Sequence, residues 1–344
     1  MGQIGIRMNV VAVSGAPRAM GLAQGEALGE GIEAALGFYR ALLERMGHDP
    51  AAVAARCRPY LQAARRVLPD GVAEMEGLAE GAGISFEEAA LLNCLEEVWP
   101  EATAVPEACT TMISGRYLMH AEQWYAAHSE IAVVVAAPDD GPGFVSPTCA
   151  GFLPAVGLSA AGFAQGIDSL VAPDDRLGAP RVFVSRAALG SSSIEAAVAA
   201  ACTPERAGGY AHVLASKDRS VTVETSATTA SMLENPVAHT NHYLGSSNPS
   251  GRRGSRGSRA RLSRAGDLLA QGPPGSLEDC ARLLSDHGSV PQSICLHESG
   301  PEASGTVFGM ACDLVTGRML VSDGPPCTGA WQPFEVAPAV VDVV

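Results

Sequence analysis

With 344 residues, 47% of them hydrophobic and 17% charged, the chain carries enough apolar material for a well-buried core, and disorder is excluded as a description of the whole. A formal net charge of −14 argues against a nucleic acid duplex as partner. No run of eighteen uncharged apolar residues offers a membrane span, and the nine widely spaced cysteines, without a C-x-x-C, fit neither a disulfide framework nor a zinc ribbon. The pattern therefore predicts a cytoplasmic protein with reduced thiols, no secretory signal and no bound metal.

The first hundred residues read as mostly helical. A stripe from Met20 through Ala35, Leu36, Tyr39 and Leu43 to Met46 has helical spacing, although several glycines interrupt it. Further helices are predicted over Pro50–Val67 and Asp70–Glu80, the latter ended by Gly81 and Gly83. Ser85 with Glu88 three residues on is a capping-box signature for a helix through Val98. Strands are predicted at 110–119, 131–137, 153–158 and 162–168, a helix at Ile194–Cys202, and a hairpin of 211–216 with 220–225. Val237–Leu244 reads as a strand segment and 245–258 as a Gly/Ser/Arg loop. Helices at 259–270 and 276–286 precede two closing strands, Thr306–Asp313 and Arg318–Ser322. Blocks of helices and strands with few β-α-β alternations favour an α+β fold with antiparallel sheets.

No P-loop, H-E-x-x-H or G-x-S-x-G motif occurs. Cys109 stands where the helical segment meets the first strand, between Ala108 and Thr110-Thr111. Were the Ala108–Cys109 bond cut, thiol and α-amine would share one residue. An α-amine with an unperturbed pKa of about 7.7–8.0 can serve as general base near neutrality. Taken alone, the spacing favours a structural cysteine over a nucleophile.

From about Arg18 to Trp331 the chain resembles the acyl-CoA:6-aminopenicillanate acyltransferase family, the C45 autoproteolytic peptidases of the Ntn-hydrolase superfamily. The pieces that carry the resemblance occur in the family's order. They are Gly21-x-x-x-Gly25-x-x-x-Gly29, Cys109-Thr110-Thr111, Glu122-Gln123-Trp124-Tyr125, Gly157-x-Ser159-x-x-Gly162 before Asp168-Ser169-Leu170, Thr240-Asn241-His242-Tyr243-Leu244 and Ser293-Ile294-Cys295. The resemblance implies a four-layer αββα sandwich with a helical N-terminal leader, cleaved between Ala108 and Cys109. It implies a small subunit 1–108 that stays associated with a catalytic subunit 109–344. Cys109 is then the nucleophile that forms a thioester acyl-enzyme, and Asn241 the oxyanion donor. The substrate is a small N-acyl or peptide-like amide of the kind met in secondary metabolism. No cofactor is needed, though a CoA thioester can act as acyl donor.

The departures from the family pattern fall at Gln123 and Tyr125, where relatives carry Asn and Asp, and at Ser159, Asp168 and Leu296. They open a second reading, an unprocessed or repurposed member that forms an amide in a biosynthetic pathway or binds a ligand without turnover. Gln123, Trp124, Tyr125, Phe152 and His242 are candidate substrate contacts, with core packing as the alternative for the aromatic ones. His239 and His242 lack partners at ligand spacing, so a structural role is expected for them rather than a metal. Six arginines between 252 and 264 read as a solvated helix start or, alternatively, as an anion site.

Overall fold

The structure is a computed structural model and describes residues 8–99, 109–128, 130–245, 249, 254–297 and 303–336. The first described element is a strand, β1 (Asn9–Gly15), which the expectation of a mostly helical first hundred residues does not include. Its valines alternate, Val11 and Val13 inward and Val10 outward, as a half-buried edge strand requires. Helix α1 (Pro17–Arg45) begins with Pro17 in its first turn, where a missing N–H costs nothing. The helix expected over Pro50–Val67 is two, α2 (Pro50–Ala55) and α3 (Arg58–Val67), because Pro59 cannot donate to the carbonyl of residue 55.

α4 (Pro69–Ala82) ends on Gly83 in the left-handed region, φ +68. α5 (Phe86–Asn93) carries the expected capping box, with Ser85 and Glu88 bonded reciprocally. It breaks at Cys94 before α6 (Leu95–Val98) instead of running on. The buried Asn93 side chain occupies that break, donating to the carbonyls of Ala89 and Gly151 at 2.9 Å and accepting from the Leu153 N–H at 2.9 Å.

α1 and α4 dock backbone to backbone. A Cβ placed on Gly21 would stand 1.8 Å from the Glu74 carbonyl oxygen, and one on Gly77 2.0 Å from that of Arg18. Gly25 and Gly81 face Leu78 and Leu22 in the same reciprocal way. The glycine spacing of the first helix is thus a packing surface.

The strand expected over 110–119 is a hairpin, β2 (Thr110–Ser114) and β3 (Tyr117–Tyr125), turned at Gly115 with φ +54. β4 (Ile131–Pro138), β5 (Phe144–Cys149), β6 (Gly157–Ser159) and β7 (Phe163–Leu170) follow, then α7 (Arg181–Leu189) and α8 (Ile194–Ala201). The expected hairpin is β8 (Gly209–Ser216) and β9 (Ser220–Thr225), extended by β10 (Ala230–Glu234). Of the expected strand Val237–Leu244 only β11 (Ala238–His239) pairs, because the following residues turn to bond with α9 and Glu224. α9 (Arg256–Gln271), α10 (Leu277–Leu284), β12 (Ser304–Asp313), β13 (Arg318–Asp323) and β14 (Ala330–Glu335) complete the chain.

Two sheets result. One has eight strands in the order β1-β4-β5-β6-β7-β8-β9-β10, and the other six in the order β11-β2-β3-β12-β13-β14. Their faces meet where β2 and β3 contact β7, and β12 contacts β6. α1, α7 and α8 pack on the eight-stranded sheet, α9 and α10 on the six-stranded one. This is the expected four-layer αββα arrangement, with the helical N-terminal segment on the outside of the larger sheet. Among the described residues no helix is long and apolar enough to cross a membrane.

Candidate active site

Cys109 immediately precedes β2, buried between the layers; Ala108, and with it the bond expected to be cleaved, lies outside the described residues. Because Thr110 pairs with Ala121 and Thr111 with His120, the antiparallel register sets Cys109 opposite Glu122 of β3. The Cys109 Sγ stands 3.4 Å from Glu122 Oε1. The other carboxylate oxygen of Glu122 is 3.0 Å from His120 Nε2, whose Nδ1 is 2.9 Å from Thr111 Oγ1. Burial pushes the Cys109 thiol well above its ordinary range, and the charges of Glu122 and Asp168 push it further.

Arg261 joins Cys109, the expected nucleophile, to Asn241, the expected oxyanion donor. It lies on the inner face of α9, buried with Ser258 and Ala265. Its Nη1 donates to the Cys109 carbonyl and, at 2.9 Å, to Thr110 Oγ1. Its Nη2 donates to Asn241 Oδ1 at 2.9 Å. With its Oδ1 so engaged, Asn241 presents Nδ2, which reaches the Ser169 carbonyl at 3.3 Å. Burial pulls the Arg261 guanidinium down to about 10, and Cys109 and Asp168 oppose that. The sequence reading placed this arginine in a solvated cluster. The overlooked signal is its position: 258, 261 and 265 fall on one face of the helix, and that face is the buried one.

Behind Asn241, His239 is fully buried between two carboxylates, Nε2 3.0 Å from Glu224 Oε1 and Nδ1 3.4 Å from Asp168 Oδ2. Burial alone would lower its pKa, but the two acids raise it to about 9, so it is an imidazolium at neutrality. Glu224 is also pulled toward the charged form, against its burial, by His239 and by the backbone N–H of Leu244 and Gly245. This accords with the structural role expected for His239.

A cavity of about 90 Å³ opens beside Glu122. Trp124, Phe152 and Phe308 supply aromatic surface, and Leu92, Leu95 and Glu96 come from α5 and α6. Trp124 and Phe152 thus sit where a substrate contact was expected, with rings 5.5 Å apart and near perpendicular. Their scaffold is a donor chain. The Trp124 indole N–H donates to the Tyr39 hydroxyl at 2.6 Å; that hydroxyl reaches His128 Nδ1 at 2.9 Å, and His128 Nε2 reaches the Ala150 carbonyl at 2.7 Å. Burial lowers His128 to about 4, which keeps it neutral.

The other expected contacts lie elsewhere. Gln123 points to the opposite face of β3, where its Nε2 donates to the Ile294 carbonyl at 2.7 Å. Tyr125 packs on Phe38 and Tyr39 of α1, at ring distances of 5.3 and 6.1 Å. His242 Nδ1 pairs with Ser258 Oγ at 2.7 Å, at the start of α9. None of the three lines the cavity.

The chain matches the model of the acyl-coenzyme A:6-aminopenicillanic acid acyl-transferase family over residues 110–325, more than half of its length. No curated protein sequence matches it. Among solved structures it is similar to penicillin V acylase from Agrobacterium tumefaciens, at 13% identity over 66% of this chain and 86% of that one, with a TM-score of 0.44. It is also similar to a Caenorhabditis elegans N-acylethanolamine-hydrolyzing acid amidase ortholog, at 13% identity over 60% and 93%, with a TM-score of 0.43. A mutant of conjugated bile acid hydrolase from Clostridium perfringens gives 10% identity over 67% and 97%, with a TM-score of 0.42. These structural likenesses are distant, and the assignment rests on the family match. The chain belongs to the acyl-coenzyme A:6-aminopenicillanic acid acyl-transferase family and is an enzyme of acyl transfer.

Proposed function

We propose that the protein cuts its own Ala108–Cys109 bond and then acts as an N-terminal-cysteine amidohydrolase or acyltransferase on a small N-acyl compound. The observation that carries this reading is the Arg261 clamp, which ties the Cys109 carbonyl to the side chain of Asn241. Such a clamp fixes a nucleophile relative to an oxyanion donor before substrate arrives.

In the proposed cycle the Cys109 sulfur attacks the amide carbonyl carbon. The Asn241 Nδ2 group and backbone N–H groups receive the developing oxyanion. The freed α-amine of Cys109 takes the thiol proton and passes it to the leaving amine. The resulting thioester is resolved by water or by a second amine; an acyl-CoA can also load the enzyme with the same acyl group. A positive charge formed on that α-amine offsets the two carboxylates, Glu122 and Asp168, that raise the thiol in the uncut chain. The apolar cavity with Trp124 and Phe152 supports a hydrophobic acyl group as the part that is bound. Since Leu92, Leu95 and Glu96 form part of that wall, the small subunit 1–108 stays associated after cleavage.

Intact mass under denaturing conditions tests the reading. Two fragments of roughly one third and two thirds of the 35.3 kDa chain, absent in Cys109→Ala, are expected. A single uncut chain that still hydrolyses amides would overturn the α-amine as base.

A further inference from the structure

Away from Cys109, a second group of metal-binding side chains gathers at the surface. His287 follows α10, Cys295 and His297 lie two residues apart before β12, and Cys327 occupies the turn between β13 and β14. One donor atom from each of the four lies within 4.8 Å of the others. His297 Nε2 is 3.5 Å from Cys295 Sγ and 3.1 Å from Cys327 Sγ, and the two imidazole rings stand 5.2 Å apart. In a tetrahedral site with metal–sulfur bonds of about 2.3 Å and metal–nitrogen bonds of about 2.0–2.1 Å, the ligand atoms stand roughly 3.3–3.8 Å apart. Small side-chain rotations would therefore close this group around an ion.

The backbone under the four residues is already tied down. The Cys295 N–H donates to the Asp286 carbonyl at 3.0 Å, and Arg264 grips the Asp286 carboxylate at 2.8 and 2.6 Å. The Leu296 N–H donates to Thr306 Oγ1 at 2.8 Å, and the Thr306 N–H returns to the Leu296 carbonyl at 2.9 Å, which fixes the Cys295–His297 stretch against β12. The Cys327 turn is closed by the Gly329 N–H on the Pro325 carbonyl at 2.7 Å and by the Trp331 indole on the Pro326 carbonyl at 3.1 Å. Preorganised supports of this kind are what a metal site needs around its ligands.

We propose that His287, Cys295, His297 and Cys327 form a Cys2His2 site for a thiophilic divalent cation of the Zn²⁺ class. The donors are soft and borderline, with no carboxylate among them, which selects zinc over calcium or magnesium. Four protein ligands leave no open position, so the ion is structural and pins the loop after α10 to the β13–β14 turn. Binding releases the two thiol protons to solvent, leaving two thiolates, two neutral imidazoles and the dication in charge balance. Cysteine spacing gives no sign of such a site, because its ligands come from two loops far apart in sequence, the α10–β12 connection and the β13–β14 turn.

The full chain, reduced and stripped of metal with a chelator, would be titrated with Co²⁺ and then with Zn²⁺. The expected result is one Co²⁺ per chain with the intense visible bands of tetrahedral thiolate coordination, displaced by Zn²⁺. Those bands should be lost in Cys327→Ser, at an exposed position, and in His297→Ala, with circular dichroism unchanged in both. They should persist in Cys109→Ala, which disables the other candidate cluster of Cys109, His120 and Glu122. Absence of the bands in the reduced chain, their survival in Cys327→Ser, or their loss in Cys109→Ala would overturn the proposal. So would a Cys295–Cys327 disulfide found by peptide mapping of protein kept from air.

Discussion

Arg261 Nη2 holds Asn241 Oδ1 at 2.9 Å, while the other amino group of the same guanidinium holds the carbonyl of Cys109. The two residues thereby share one rigid planar reference, and Asn241 keeps its Nδ2 as donor, directed at the Ser169 carbonyl at 3.3 Å. A lysine carries its three N–H donors on one compact nitrogen and cannot reproduce the planar fork that spans the two acceptors.

Asn241→Ala should accordingly lower kcat by about 10²–10³ with a smaller change in KM, as loss of one oxyanion donor does. Arg261→Lys should cost on the order of 10² in kcat/KM, through misplacement of groups that are all still present. Steady-state kinetics on any N-acyl substrate that the unaltered chain turns over would check both. If Arg261→Lys stayed within twofold of the parent, the clamp would have no part in catalysis.

The Cys109 thiol is raised first by burial and then by the charge of Glu122. Glu122→Gln removes that charge without changing the shape of the side chain, so the thiol pKa should fall and thiolate should form at lower pH. Alkylation of Cys109 by iodoacetamide, followed on its peptide by mass spectrometry, should shift its midpoint to lower pH in the variant. A midpoint that moved upward would mean that Glu122 acts as the proton acceptor for the thiol instead.

His239 gives the fold a pH-dependent brace. Its folded pKa of about 9 lies above the unfolded 6.5, so its contribution is complete below about pH 6.5 and is lost as pH rises through 9. For a fully buried imidazolium between two acids, that contribution is on the order of 3 kcal/mol. Thermal unfolding of the parent should therefore show a Tm that falls between pH 7 and 9.5. His239→Gln should be less stable at neutral pH and should lose most of that slope, since Asp168 and Glu224 then face each other without a cation.

How much of this was written in the sequence differs between fold and site. Ser85 and Glu88 announced their capping box because the bonds are local, and the valine-rich strand at 131–138 announced itself by composition. β5 was hidden by Pro147, and α7 follows Arg176–Pro180 with Arg181 and Arg186 buried in ion pairs to Glu97 and Glu74, so its inward face carries charge. The site behaved similarly. Cys109 and Asn241 are candidates from motif order, whereas Glu122 and Arg261 become candidates only through a strand register and a helix face. Partners 13 and 152 residues away leave no mark in local spacing.

The α1–α4 contact predicts opposite outcomes for one substitution at two glycines. Gly77→Ala would drive a methyl to within 2.0 Å of the Arg18 carbonyl oxygen, and backbone cannot move aside as a side chain can. A loss of about 1–3 kcal/mol is expected from such overpacking. Gly37, in the facing helix α1, has nothing within 4 Å of the added methyl. Gly37→Ala should instead stabilise by about 0.5–1 kcal/mol through helix propensity. Denaturant midpoints of the two variants, measured side by side, decide the point; equal signs would dismiss the idea that the glycines set the approach of the helices.

Tyr39 links the N-terminal segment to the cavity beside Glu122 through Trp124 and His128. Tyr39→Phe keeps the ring and its packing but removes the hydroxyl. The Trp124 indole N–H then loses its acceptor, and His128 Nδ1 loses its donor, in a place closed to water. Leaving a buried polar group unmet costs about 1–3 kcal/mol, so Tm should fall by several degrees. The catalytic consequence should be selective. Trp124 lines the cavity and Cys109 does not, so KM and the preference among acyl groups should change more than kcat. Kinetics over a series of N-acyl chain lengths would read that split, with Trp124→Phe as the companion variant, since it removes the same indole–hydroxyl hydrogen bond from the other side. If Tyr39→Phe lowered kcat at every chain length and left KM and the preference alone, the donor chain would be acting on the nucleophile rather than on the pocket wall.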